Sequence, residues 1–373
     1  MKLKAVLGCI LFWSVSLGHA GSKVVDAPNG QNVFIITLDG FRWQELFSGA
    51  DSSLISNTSV TSDTLSAKAM YWTSTENERR KKLMPFFWNV LAKEGQALGN
   101  RNLGSRVNTA NMWFLSYPGY NEIFTGDTDP TIATNRKVAN DNANVLEYLN
   151  KLPAYNGKVA AIASWDAMPY ILNKERSRIY IDAGKESIGR GVVSKTGAAL
   201  NGLQAGHIQA EKETRDDRIT YQLAKAYVQT AKPKVLFLGL SGTDDAAHEK
   251  KYDQYLKAAN NADQIIADLW NTVQSMPAYK GHTTFIITTD HGRGRDSETW
   301  YNHGFFVKGS SQTWMALLGA NVRNLGEVSG GSQLYQRSIA GTIGYLVGVK
   351  SYSKHTLPSI LFEKDPVTEI ARK

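Results

Sequence analysis

Short runs of branched and aromatic residues punctuate the chain at NVFIITL (32–38), GKVAAIASW (157–165), KVLFLGL (234–240), TTFIITT (283–289) and TWMALLG (313–319). Each is apolar without a polar alternate face, the pattern of strands buried on both sides of a parallel sheet. Between them the period changes. Ile219, Leu223, Ala226 and Tyr227 form a helical stripe, and Tyr252, Tyr255, Leu256, Ala259, Ile266, Leu269 and Val273 form a longer one. KKLMPFFWNVLAKEG (81–95) predicts a helix with Pro85 in its first turn and Gly95 as its stop, and LYQRSIAGTIGYLVG (334–348) predicts a closing helix. Strands alternating with helices predict an α/β fold, a mostly parallel central sheet with helices on both faces. The stretches 48–80 and 175–215 are polar or charged and weakly periodic, and read as cap or lid excursions. No repeat and no low-complexity linker interrupts the pattern, so residues 21–373 are expected to form one domain with a small inserted cap.

The first twenty residues stand outside that scheme. MKLKAVLGCILFWSVSLGHA has a basic start at Lys2 and Lys4, an apolar run, and small residues Gly18 and Ala20 at its end. That is the pattern of a secretory signal peptide cleaved near Ala20, and it predicts an exported, periplasmic protein. Cys9, the one cysteine, lies in this leader, so no disulfide is expected in the remainder. No later segment is apolar enough for stable membrane insertion. Loss of Lys2 and Lys4 lowers the formal net charge from +8 to +6. The one dense basic run, RRKK at 79–82, reads as a solvated helix start, so no nucleic-acid binding is expected. A mildly basic chain suits a small anionic substrate. Nothing in the pattern specifies an oligomeric state.

The candidate chemistry gathers at strand ends, where open α/β sheets bind ligands. Asp39 follows the first strand, and Asp290-His291 follows TTFIITT. SGTDDAAHE, after KVLFLGL, carries Asp244 and His248 four residues apart, on one face if the turn is helical. His303 precedes a glycine twelve residues beyond His291. Each alone fits a bland role as cap, turn residue or surface ion pair. Together they form an acid–imidazole set suited to zinc-like divalent metals, and two sets suggest two ions about 3.5–4 Å apart. In NMWFLSYPGYNEIFTG (111–126), Pro118 favours a helix first turn and so places the Ser116 hydroxyl at a helix N-terminus. Beside a metal that hydroxyl becomes a nucleophile; without one it is an ordinary capping serine. The aromatic residues Trp113, Phe114, Tyr117 and Tyr120 read as core packing or as a binding platform. Arg42, Arg293 and Arg295 read as anion holders or salt-bridge partners.

These motifs in this order resemble the alkaline phosphatase superfamily, and within it the type I phosphodiesterase/nucleotide pyrophosphatase branch. The resemblance rests on FIITLDGFRWQELF, LSYPGYNEIFTG, the Asp244-x-x-x-His248 element, Asp290-His291-Gly292 and His303-Gly304, and it covers most of the chain after the leader. It implies one metal held by Asp39, Asp290, His291 and Ser116, and a second held by Asp244, His248 and His303. It implies that Ser116 attacks phosphorus in line and that water releases the product. In that branch an asparagine after the motif proline helps to bind a phosphoryl oxygen. Gly119 stands there instead, which leaves Asn121, or Asn111, as the candidate. The expected protein is therefore a secreted two-metal phosphoric-ester hydrolase acting on diesters, pyrophosphates or monoesters. A sulfatase reading is weakened because Ser116-Tyr117-Pro118-Gly119-Tyr120 lacks the arginine of the sulfatase element. A phosphoglycerate-mutase-like enzyme and a non-catalytic periplasmic binding protein stay open beside it.

Overall fold

Strand β1 (Asn32–Leu38), buried along its whole length, runs through the middle of an eight-stranded sheet. A computed structural model describes residues 31–185, 213–349 and 352–362. In chain order β1 is followed by β2 (Gln96–Leu98), β3 (Val107–Asn108), β4 (Val159–Ala163), β5 (Tyr180–Ala183), β6 (Val235–Leu240), β7 (Thr283–Thr288), β8 (Gln312–Thr313), β9 (Met315–Gly319), β10 (Gly326–Glu327) and β11 (Leu334–Tyr335). The main sheet has the order β10-β2-β9-β7-β1-β6-β4-β5, and β11, β3 and β8 form a small second sheet. Pairing is parallel from β7 through β1 and β6 to β5; β9 runs antiparallel to both β7 and β2. The mostly parallel α/β sheet expected from the apolar runs is the observed fold.

The two faces of β1 feed two separate cores, as the period of a strand requires. Phe34, Ile36 and Leu38 join the core beneath the helices Asp217–Ala231 and Tyr252–Ser275. Val33 and Ile35 join the opposite one, with the helices Ser116–Thr125, Val145–Lys151 and Ser338–Leu346. Both long stripes seen in the sequence fold as helices facing the first core.

Local structure departs from the sequence pattern in three places. The 48–80 stretch folds as short helices, Ser52–Ser56, Thr64–Tyr71 and Glu76–Leu83, packed against Tyr252–Ser275. Each starts on a side-chain cap: Asp51 accepts from Ser53 and Leu54 N–H, Asp63 from Ser66 N–H, and Thr75 from Glu78 N–H. The RRKK run is the last turn of Glu76–Leu83, not a helix start, where its charge opposes the helix dipole. Arg80 lies 3.6 Å over the Trp88 ring and 2.8 Å from Glu327. Pro85 divides the helix expected over 81–95. The buried Asp263 carboxylate accepts from Phe86 and Phe87 N–H at 2.7 and 2.8 Å, and so restarts the chain as a wide turn at Phe87–Leu91. The closing helix begins only at Ser338, because Leu334–Tyr335 is strand β11. Most of the 175–215 excursion, residues 186–212, lies outside the described residues.

A buried ion pair braces the exit from β1. Arg42 and Glu45 are both inaccessible. Arg42 Nε donates to Glu45 Oε2 at 2.8 Å, and Nη1 donates to the Gly294 carbonyl at 2.9 Å. Tyr252 Oη donates to Glu45 Oε1 at 3.1 Å, and Arg42 N–H donates to Tyr255 Oη at 2.9 Å. Removing one partner strands a buried charge. Glu45→Ala is expected to lower stability by about 3–5 kcal/mol, read as a lower denaturant midpoint; an unchanged midpoint would show that the pair carries no such burden.

Candidate active site

Neighbouring strands β7, β1 and β6 end together, and each leads into a ligand-type residue. Asp39 is the first residue after β1, Asp244 and His248 lie on the helix Gly242–His248 that leaves β6, and Asp290 and His291 follow β7. Asp244 and His248 do share one helical face, with Oδ2 to Nε2 at 3.2 Å. His303 returns from the following loop and stacks on His291, ring centroids 3.9 Å apart and planes within 4°.

Several bonds lock these ends together. Gly40 takes the left-handed conformation (φ +57) and donates its N–H to Asp290 Oδ1 at 3.1 Å. Thr243 Oγ1 donates to the Asp39 carbonyl at 2.6 Å. Tyr120, one of the aromatic residues near Ser116, donates its hydroxyl to Asp39 Oδ2 at 3.2 Å and shares a 3.1 Å bond with Thr37. Tyr117 and Tyr120 are buried, while Trp113 and Phe114 are half-buried.

Ser116 begins the helix Ser116–Thr125 as its first residue rather than as its cap, which is Leu115. Its hydroxyl lies 3.2 Å from His291 Nε2. The same Nε2 is 3.5 Å from Asp39 Oδ1, 3.6 Å from Asp290 Oδ2 and 3.9 Å from Asp244 Oδ1. The helix start sits directly on the β7 end: a Cβ at Gly119 would lie 2.5 Å from the Asp290 carbonyl oxygen. No asparagine could stand at 119.

Asn121 does not reach the site. Its Oδ1 accepts from Asn140 at 2.9 Å and Asn142 at 3.3 Å, and its amide donates to the Asp127 carbonyl at 3.4 Å, so it braces the loop behind the helix. Five residues along a helix turn it away from the hydroxyl. Asn111 is equally engaged. Its Oδ1 accepts from Trp113 and Phe114 N–H, and its amide donates to Glu122 at 2.9 Å. Asn135, which no sequence motif singles out, lies in the cavity wall beside Ser116. Its Oδ1 accepts the Tyr117 N–H at 2.9 Å, capping the helix start from outside, and its amide has no partner among the described residues. A loop asparagine nineteen residues past the serine carries no local signal that could have found it.

Two of the three arginines are salt-bridge partners, in the interior rather than at the surface. Arg42 is consumed by Glu45 and Gly294. Arg295 is exposed. Arg293 is buried against Asp244.

The donor set fits divalent cations. Asp39 Oδ1 and Asp290 Oδ2 are buried without a hydrogen-bond partner among the described residues. Burial, and then the neighbouring Asp290, pushes the Asp39 carboxyl up to about 8. Burial pushes Asp290 up to about 6. Burial also drives His291 below its ordinary value and His303 well below it, so both imidazoles stay neutral. His291 Nδ1 bonds the Gly292 carbonyl at 3.0 Å and His303 Nδ1 bonds the Phe114 carbonyl at 2.9 Å. A carbonyl only accepts, so each Nδ1 carries the proton and each Nε2 presents a lone pair, the ligand tautomer. His303 Nε2 lies 3.1 Å from His248 Nε2. Two groups of ligand atoms lie within 4.8 Å of one another: Asp39, Asp290 and His291, and Asp244, His291 and His303. His291 thus borders both clusters, and the half-exposed His248 forms the outer rim. A cavity of about 240 Å³ opens over Asp39, Ser116, Asn135 and Asp244.

The pattern that defines the type I phosphodiesterase/nucleotide pyrophosphatase family matches residues 54–309, a span holding every candidate ligand except Asp39. No curated protein matches the chain. Among solved structures, lipoteichoic acid synthase LtaP from Listeria monocytogenes is 11% identical, with 90% of this chain and 77% of that one covered at a TM-score of 0.56. A mutant of alkaline phosphatase PafA is 11% identical, with 88% and 98% covered and a TM-score of 0.58. Murine ectonucleotide pyrophosphatase/phosphodiesterase 5, an inactive form in complex with AMP, is 10% identical, with 89% and 100% covered and a TM-score of 0.55. At such identities the likeness is one of fold. No described helix is long and apolar enough to cross a membrane.

The carboxyl shifts give a signed pH dependence. A folded-state value above the unfolded one means that the metal-free fold holds its proton more tightly, so this contribution is full below about 3.9 and is lost as pH rises. For Asp39 the loss runs to about 8. In chelator, Asp39→Asn is therefore expected to gain melting temperature over the unsubstituted protein, and to gain more at pH 8 than at pH 5. An equal difference at both pH values would overturn the assignment.

Proposed function

Because the chain belongs to the type I phosphodiesterase/nucleotide pyrophosphatase family, we propose that it is a metal-dependent phosphoric-ester hydrolase with Ser116 as nucleophile. The observation that carries the reading is the Ser116 hydroxyl, 3.2 Å from His291 Nε2 and facing carboxylate oxygens that have no partner. Asp39, Asp290 and His291, with the serine itself, would hold an inner divalent cation; Asp244, His248 and His303 would hold an outer one. The mixture of imidazole and carboxylate favours zinc. When bound, such ions supply positive charge that lowers the serine pKa and offsets charge on the phosphoryl oxygens.

The remaining work falls to the chain. The helix start aims Ser116 Oγ into the cavity, and Tyr120 and Thr243 hold Asp39 in place. The unpartnered Asn135 amide is placed to donate to a non-bridging phosphoryl oxygen. Oγ, having lost its proton, bonds to phosphorus as the opposite bond to the leaving alcohol breaks; the alkoxide takes up a proton. Water then attacks the seryl phosphoester, the bond to Oγ breaks, and Ser116 recovers its proton.

Diesters, with a single negative charge, are favoured over monoesters. The described cavity wall carries Asp39, Glu213, Asp244 and Asp245 and no lysine or arginine. Nearby Lys137 is held by Asp166 at 2.8 Å and Glu213 at 3.2 Å. A monoester dianion would find no further cation there. The leader at 1–20 supports export, and residues 21–373 are read as one α/β domain with the catalytic groups at its sheet end.

Ser116→Ala is expected to cut turnover of bis(p-nitrophenyl) phosphate by at least about 10³-fold, while metal analysis still finds two ions per chain. Asp244→Asn or His303→Ala should lose one ion and at least about 10²-fold in rate. Unchanged turnover in Ser116→Ala would remove the serine from the chemistry.

A further inference from the structure

Arg293 lies two residues beyond His291 and is 1% exposed. Its Nε donates to the Gly40 carbonyl at 3.0 Å, so it bonds the residue next to Asp39. Its Nη1 donates to the Tyr301 carbonyl, two residues before His303. Its Nη2 contacts the Asp244 carboxylate. One guanidinium therefore touches the segments carrying Asp39, Asp244 and His303, and its own backbone continues the Asp290-His291 segment. Of the proposed machinery, the Ser116 helix and Asn135 are not reached.

The fit is close. A Cβ at Gly40 would lie 2.7 Å from Arg293 Nε and 2.8 Å from both Nη2 and Asp244 Oδ1. Glycine at 40 thus makes room for the arginine as well as for the turn. The next residue is fixed too: Gly294 N–H donates to the Asn302 carbonyl at 2.9 Å, and Arg42 holds the Gly294 carbonyl at 2.9 Å. Nε and Nη1 are spent on the Gly40 and Tyr301 carbonyls and Nη2 lies against Asp244, so the fork is directed at protein groups.

We infer that Arg293 is a positioning residue, a three-way clamp that fixes the spacing between the two cation clusters and holds Asp244 ready for the outer ion. The inference rests on the two-cation reading above. A guanidinium suits the role because its fixed planar fork presents several donors at once and keeps its charge when buried. Lysine has the charge without the fork. Groups that orient metal ligands typically change affinity by about 10–100-fold when removed.

The test uses the full-length protein, Arg293→Met and Arg293→Lys, each stripped with chelator and titrated with Zn²⁺ against a competing dye. Unsubstituted protein is expected to take up two ions. Both variants should bind one ion with unchanged affinity and the other at least about 10-fold more weakly, Met more so than Lys. Raising Zn²⁺ should restore much of their turnover, which a misfolded site would not do. Two ions bound at unsubstituted affinity in Arg293→Met would overturn the clamp. So would equal weakening of both sites without rescue, which marks a merely structural arginine. Should Arg293→Met fail to fold, Arg293→Lys decides alone by the same readings. Unsubstituted protein binding a single ion overturns the two-cation reading and the clamp with it, and that result is visible before any variant is measured.

Discussion

Buried carboxylates need hydrogen-bond donors or positive charge, and the end of this sheet holds them around neutral imidazoles. Asp39 and Asp290 present oxygens with no hydrogen-bond donor, and burial has driven both carboxyls above their ordinary range. The imidazoles beside them point lone pairs inward, because their Nδ1 protons are spent on backbone carbonyls. A hydrophobic core would exclude such a set, and a water-filled surface would leave it loosely held. Packed as it is, the arrangement suits a receptacle for cations. The proposed hydroxyl chemistry and the proposed role of Arg293 both start from that electrostatic requirement.

The fold meets the requirement through adjacency. Parallel pairing places the β7, β1 and β6 ends side by side. Three short segments can then converge on one spot without long loops. Ser116, the proposed nucleophile, comes from elsewhere, on a helix laid across the second core, and its first turn meets the same spot from the side. The rigid part of the site belongs to the sheet; the Ser116 hydroxyl belongs to a helix docked onto it. Tyr120 and Asn135 work at that junction, one fastening Asp39 to the helix and the other capping the helix from the cavity wall.

What could be read from the sequence were the features with local causes. β1, β6 and β7 are continuous apolar runs, so their burial was legible, and with it the gathering of acids and imidazoles beyond their ends. Asp244 and His248 were readable as a pair because helical spacing fixes their relation. The helices over 52–83 carry local start signals, the caps at Asp51, Asp63 and Thr75, but their polar composition offers no apolar stripe and concealed them. Residues defined by tertiary contact were not legible. Asn121 and Asn111 sit near Ser116 in sequence yet spend their amides on loops, whereas Asn135 reaches the cavity from a distant turn. Arg293 could be seen beside a motif, but nothing local shows which of several carbonyls and carboxylates a long buried side chain will find.

The contact at Gly119 sets a boundary on how this architecture can vary. The missing side chain lets the serine-bearing helix rest against the backbone of Asp290, and the neighbour a methyl group would strike is a main-chain carbonyl that cannot swing aside. Hydroxyl and carboxylate therefore ride on one another like two faces of a single joint. Any mutational path that enlarges position 119 must first part the Ser116 helix from the Asp290 backbone, so the position is constrained by geometry even where the surrounding helix remains free to change.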